Sequence, residues 1–130
     1  GKYRISDGLE TDNGANITLL RYADVLLMHA EAAMEAGTGN PYFGLNAIRL
    51  RAGKDALSGL SVDDLRMEIR KERKFELIME FNDFFDVQRW GTLEEEAQQA
   101  GYTYNSAYEL YPIPLREFDI NPNLQQNPEY

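Results

Sequence analysis

The stretch SVDDLRMEIRKERKFELIMEF, Ser61 to Phe81, decides the fold of this chain. Ser61 can accept a hydrogen bond from a first-turn amide, and Asp63 and Asp64 complement the positive end of a helix dipole. The stretch therefore predicts the longest helix, from Ser61 to about Phe81. Glu68, Glu72, Glu76 and Glu80 recur every fourth residue. At a 100° step the last three fall among the apolar positions Leu65, Ile69 and Met79, which predicts partly buried carboxylates. A buried carboxylate is costly unless paired, so Arg73, Arg49, Arg51, Arg21 and Arg89 are the candidate partners. Glycoside hydrolysis needs two carboxyl groups flanking a bond from opposite sides, which two positions on one rigid helix do not readily supply. A structural Arg–Glu network between helices is the expected role of the stripe.

Upstream, Tyr22, Val25, Leu26, His29, Ala30, Ala33 and Ala36 fall at helical period over Arg21 to Ala36, and Gly37 supplies the stop. The alanines invite close approach of a second helix. Asn40 followed by Pro41 reads as a cap and a proline at the first helical position, opening a short helix with a Leu45, Ile48, Ala52 stripe that ends at Gly53. Leu20 to Gly53 thus has the size of one tetratricopeptide-like hairpin. One such pair cannot bury its own faces, so neighbouring repeats in a longer parent protein are expected. Residues 1 to 20, with Gly8, Gly14 and the polar run Glu10 to Asn13, read as an extended lead-in. His29 is expected as a hydrogen-bonded core or groove histidine, since no triad partner stands in a known arrangement with it.

Downstream, Phe84, Phe85, Asp86, Arg89 and Trp90 form a dense aromatic and charged cluster, expected as a hydrophobic plug whose Asp–Arg pair closes a helix end. Thr92 with Glu95 three residues on reads as a capping box for a further short helix ending near Gly101. Pro112, Pro114, Pro122 and Pro128 then make the tail extended, with at most a helical turn after Pro114. Its apolar members, among them Leu110, Tyr111, Ile113, Leu115, Phe118, Ile120 and Leu124, predict that it packs along the helices. Tyr102, Tyr104 and Tyr108 alternate loosely with polar residues and are the candidate ligand contacts, because sugar rings stack on aromatic faces, although a ring with one apolar face and one polar tip equally suits ordinary half-buried packing.

Composition narrows the function classes. With 43% hydrophobic and 27% charged residues the chain is an ordinary globular sequence, and its 130 residues are read as one domain. Thirteen Lys plus Arg against 22 Asp plus Glu leave a net charge of -9, which repels nucleic acid and an anionic membrane alike. No apolar run approaches the roughly 20 residues of a membrane helix. The absence of Cys and a single His exclude a disulfide framework and an ordinary zinc site. No glycine-rich phosphate loop, GxSxG elbow or HExxH is present, so no catalytic residue, metal or cofactor is expected.

Three blocks resemble the C-terminal part of the SusD/RagB family. They are RYADVLLMHAEA (Arg21 to Ala32) with NAIRLRAG (Asn46 to Gly53), then IRKERKFELIMEFNDFFDVQRWG (Ile69 to Gly91), then LYPIPLREFDINPNLQQNPEY (Leu110 to Tyr130). The second is similar to the family's ERxxEL, FEG and FDLxRWG stretch, and the third to its LYPIP, NPNL and QNPGY ending. The departures are Phe81 where the family usually has Gly, Asp83 where it often has Arg, and Glu129 where it favours Gly. They bear on local turn geometry and one charge pair.

The resemblance implies an all-α, tetratricopeptide-like superhelical scaffold with the proline-rich tail packed on the helices. It implies a non-catalytic glycan- or nutrient-binding lipoprotein on the outer surface of the outer membrane of Bacteroidetes-type bacteria. The expected partner is a SusC-like, TonB-dependent transporter, and the lipid anchor and most ligand contacts are expected outside this chain. No family ligand residue transfers onto this sequence; the positions that carry over, Glu72, Arg73, Glu76, Leu77, Glu80, Phe85, Asp86, Arg89, Trp90, Pro112 and Pro114, are structural. A helical-repeat interaction adaptor and a carboxylate-dependent glycosidase-like domain are the alternatives. The fragment expectation predicts some uncovered apolar surface.

Overall fold

The computed structural model describes residues 19–130, and the lead-in expected over 1 to 20 lies outside them apart from its last two residues. Six α-helices follow in order: α1 Tyr22–Ala36, α2 Pro41–Arg51, α3 Val62–Glu76, α4 Asp83–Arg89, α5 Leu93–Gln99 and α6 Leu115–Ile120. A 3₁₀ turn, Ser106–Glu109, stands before α6, and no strand occurs among the described residues. The all-helical class is as the sequence indicated. The chain divides into two compact units between Glu72 and Arg73, within α3.

In the first unit, local signals place the helix ends. Gly37 takes φ 62°, and the amides of Gly37 and Thr38 return to Met34 and Ala33, a left-handed stop that glycine adopts without a Cβ penalty. Asn40 Oδ1 accepts from the Tyr42 amide at 3.0 Å with Pro41 in the first turn. Ser61 Oγ accepts from the Asp64 amide at 3.1 Å and donates to the Asp64 carboxylate at 2.6 Å. The core joins Ala23, Leu26, Leu27, Ala30 and Met34 of α1 to Leu45 and Ile48 of α2 and Leu65 and Ile69 of α3. Leu27, Leu45 and Ile69 are its fully buried large side chains, each contributing roughly 1.5–3 kcal/mol.

The buried face of α1 is rotated from the expected one. Ala23, Leu27 and Met34 are buried, whereas Tyr22, Val25 and His29 are exposed. Tyr22 and Val25 satisfy the helical period too, so periodicity alone could not choose between the two overlapping stripes. The choice follows the approach of α2. Gly44 lies so close to α1 that a Cβ added there would fall 2.0 Å from the Leu26 carbonyl oxygen. Behind α2 the connection is held by side chains: the Asn46 amide donates to the Leu57 carbonyl (2.9 Å) and accepts from its amide (2.8 Å), and the Tyr42 hydroxyl accepts from the Leu60 amide (2.8 Å). Arg66 links α3 to α1 through a two-point pair with Glu35, at 2.7 and 3.0 Å. That guanidinium holds the Glu35 carboxyl below its ordinary range.

In the second unit α3 stops at Glu76, short of the expected Phe81. Met79 and Phe81 adopt φ 63° and 62°, left-handed values that no α-helix accommodates. The capping box expected at Thr92 is absent as well. Thr92 Oγ1 donates back to the Val87 carbonyl at 3.4 Å, and α5 begins without a side-chain cap. The tail meets α4 through the Phe84–Tyr111 ring contact, at 5.7 Å, and through the Gln88 amide bonded to the Glu109 carbonyl. It is tied to itself by Gln126, whose amide accepts from the Ile113 amide (2.8 Å) and donates to the Ile113 carbonyl (2.9 Å). The short helix after Pro114 is present as α6.

Candidate functional site

Glu72 is 3% exposed and its carboxylate is fully engaged. Arg49 Nη1 lies 3.2 Å from Oε2, and Lys54 Nζ donates to both oxygens at 3.1 and 3.2 Å. Arg49 was a foreseen partner. Lys54 was not, because it follows Gly53 in a connection with no periodic pattern. Arg49 Nη1 also approaches Glu68 at 3.5 Å, while Glu76 and Glu80 are half-buried.

One residue further along α3, Arg73 is 4% exposed and pairs with Asp86 of α4: Nε to Oδ2 at 2.8 Å and Nη2 to Oδ1 at 3.1 Å. Arg89 adds a bond to Asp86 Oδ1 at 2.9 Å and lays its guanidinium over the Trp90 ring at 5.0 Å. The expected Asp–Arg pair at the helix end is therefore joined by a second, buried arginine. Phe84 is half-buried and stands edge-on to Phe85 at 5.6 Å, but Phe85 is 58% exposed and so is not inside a plug. A cleft of about 350 Å³ opens beside the pair, with largely apolar walls from Phe75, Leu77, Ile78 and Met79.

His29, expected in a core or groove, is exposed and stands edge-on to Phe43 at 6.0 Å. No group of His, Cys, Asp and Glu that could hold a metal occurs among the described residues, and none of the described helices is long and apolar enough to cross a membrane.

The three candidate tyrosines share one loop. Tyr102 and Tyr108 are 73% and 57% exposed, and Tyr104 donates to the Glu109 carboxylate. That bond, with the Glu109, Glu94 and Glu129 charges, pushes the Tyr104 hydroxyl up to about 12. The loop is built: Asn105 Oδ1 caps the 3₁₀ turn at the Ala107 amide (2.9 Å), and the Tyr130 hydroxyl reaches the Ala107 and Leu110 carbonyls at 2.9 and 3.0 Å. Gly44, Asn46, Lys54 and Gln126 were missed by pattern reading. Only Gly44 left a signal, since glycine inside a helix costs about 1 kcal/mol and its presence points to close packing.

This helical scaffold, its buried acids held by arginine and lysine, is matched by the SusD/RagB family model over residues 6–130. The chain belongs to the SusD family. It is 36% identical over 124 residues to SusD-like protein P25 of Formosa agariphila, covering 86% of this chain and 24% of that protein. It is 35% identical over 146 residues to SusD-like protein P2 of the same organism, covering 97% and 29%. Among solved structures, a SusD superfamily protein from Bacteroides vulgatus superposes with a TM-score of 0.77 at 31% identity, over 88% of this chain and 27% of that one. A SusD homolog from Bacteroides thetaiotaomicron gives 0.76 at 33% identity, over 85% and 26%. The chain thus spans about a quarter of the length of the relatives it matches.

Proposed function

We propose that this chain is the C-terminal domain of a longer non-catalytic, glycan- or nutrient-binding lipoprotein at the outer surface of the outer membrane, partnered with a SusC-like, TonB-dependent transporter. The family match over residues 6–130 carries the reading. The geometry supports its non-catalytic part: both oxygens of the most buried glutamate, Glu72, are bonded to cations, and Asp86 is bonded to Arg73 and Arg89. Carboxylates so held brace helices and are poorly placed to protonate a leaving group. The role of Glu72, Arg73, Glu76, Glu80, Phe85, Asp86, Arg89 and Trp90 in this reading is to hold the scaffold, and Tyr102, Tyr104 and Tyr108 are its ligand contacts. The lipidated cysteine belongs to a part of the polypeptide outside these residues, which contain no Cys.

Two measurements test the reading. An affinity-tagged form of the full-length protein, isolated from gently solubilised outer membranes, should bring the transporter with it, and isolation without the transporter counts against the partnership. Incubation with oligosaccharides should release no reducing ends above a blank. Release that disappears in Glu72→Gln would make the protein an enzyme and end the non-catalytic reading.

A further inference from the structure

The charge of residues 73–130 is far more lopsided than that of the whole chain. Four basic residues stand against eleven acidic ones, so this stretch carries -7 of the net -9. All four basic side chains are already ion-paired: Arg73 and Arg89 with Asp86, Lys74 with Glu96, and Arg116 with Glu117. The tyrosine loop lies in the midst of the excess. Tyr104 is bonded to Glu109, Ser106 donates to Glu129 at 3.2 Å, and the charges of Glu94 and Glu129 act on the Tyr104 hydroxyl together with that of Glu109.

We infer that the saccharide held on the loop between Tyr102 and Tyr108 is an uncharged one, and that uronate-rich and sulfated glycans are excluded from it. The inference rests on the nutrient-binding reading above and names its ligand class. Exposed tyrosine rings on an internally bonded loop offer stacking faces at small ordering cost, and stacking does not depend on ligand charge. Recognition of a carboxylate or sulfate ester calls for guanidinium or ammonium donors. Here each such donor is bonded to a carboxylate of the protein. An anionic glycan would have to compete with a carboxylate already paired to each of these cations and enter a field of its own sign, which lowers its local concentration near the surface. Uncharged hydroxyls escape that repulsion and can use the acceptor oxygens of Glu109 and Glu129 as hydrogen-bond partners.

Affinity electrophoresis of the full chain through gels containing amylopectin, laminarin, polygalacturonate or a sulfated galactan tests this, with Tyr102→Ala and Tyr108→Ala run alongside. Both tyrosines are exposed, so the variants should melt with the parent. The expected result is retardation by at least one neutral polysaccharide, weakened at least tenfold in either variant, with none by the two anionic ones. Retardation by an anionic polysaccharide that is lost in Tyr102→Ala would overturn the inference and leave the nutrient-binding reading in place. Neutral retardation indifferent to both substitutions would remove the loop as the site. No retardation by either neutral polysaccharide, at any gel concentration, would overturn the inference and leave the nutrient-binding reading to the full-length protein.

Discussion

The guanidinium of Arg73 meets the carboxylate of Asp86 in a two-point pair, Nε to Oδ2 at 2.8 Å and Nη2 to Oδ1 at 3.1 Å, with both side chains almost wholly removed from water. The geometry matches the parallel fork in which arginine recognises carboxylates most strongly. Besides this pair, the second unit buries only Leu77, Val87 and Ala107 as its apolar core. A small core makes the second unit depend heavily on its polar centre.

Breaking the pair from one side should therefore cost more than replacing it whole. Arg73→Met should lower stability by roughly 3 kcal/mol, because it removes the buried cation from Asp86 and leaves that carboxylate only the partly exposed Arg89. Arg73→Met combined with Asp86→Leu should recover most of that loss. Urea denaturation of the two single variants and the double one forms the cycle that checks it. A loss in the double variant equal to the sum of the two single losses would mean that the pair is not coupled.

Gly44→Ala should destabilise although alanine is the better helix former by about 1 kcal/mol. The new Cβ would meet backbone at 2.0 Å from the Leu26 oxygen and 2.9 Å from its carbon, so α2 has to move away from α1. Overpacking of this kind costs roughly 1–3 kcal/mol or more, which exceeds the propensity gain. A thermal melt no lower than the parent's would show that the two helices separate without penalty.

Phe81→Gly should raise stability by roughly 1 kcal/mol. Phe81 holds φ 62° and is 86% exposed, so glycine relieves a left-handed conformation while giving up little packing. Phe81→Ala keeps the Cβ and should bring no gain, which separates backbone relief from loss of the ring. Glu129, at φ 71°, should gain less as glycine, since its carboxylate bonds Ser106. Glycine carries no Cβ, so both left-handed positions would accept it without strain.

One tyrosine should titrate near pH 12 in an ultraviolet absorbance titration, and Glu109→Gln should return it toward the ordinary value near 10. The sign for stability follows from the direction. The folded state holds the proton more tightly, so the contribution is complete below about pH 10 and is lost as pH rises toward 12. It leaves neutral pH untouched. A titration in which every tyrosine ionises near 10 would show that Tyr104 is not bonded to Glu109 in solution.

What the sequence by itself determined is what acts within one or two helical turns. Gly37, Asn40 with Pro41, and Ser61 marked helix ends that the structure keeps, because caps and stops bond groups only a few residues apart. The helical class and the family motifs were legible for the same reason. The tertiary structure decided everything that depends on the path of the chain. Glu72 and Arg73 are neighbours, each buried, yet Glu72 is neutralised by Arg49, 23 residues away, and Arg73 by Asp86, 13 residues away. A periodic pattern could assign both to a network, but it could not choose their partners. It also could not stop α3 at Glu76, where the chain bends through the left-handed residues Met79 and Phe81 and Asp86 comes to lie against Arg73. Local propensity is a preference of tenths of a kcal/mol per residue, whereas leaving a buried charge without its partner costs several, so the chain path that brings the partners together prevails.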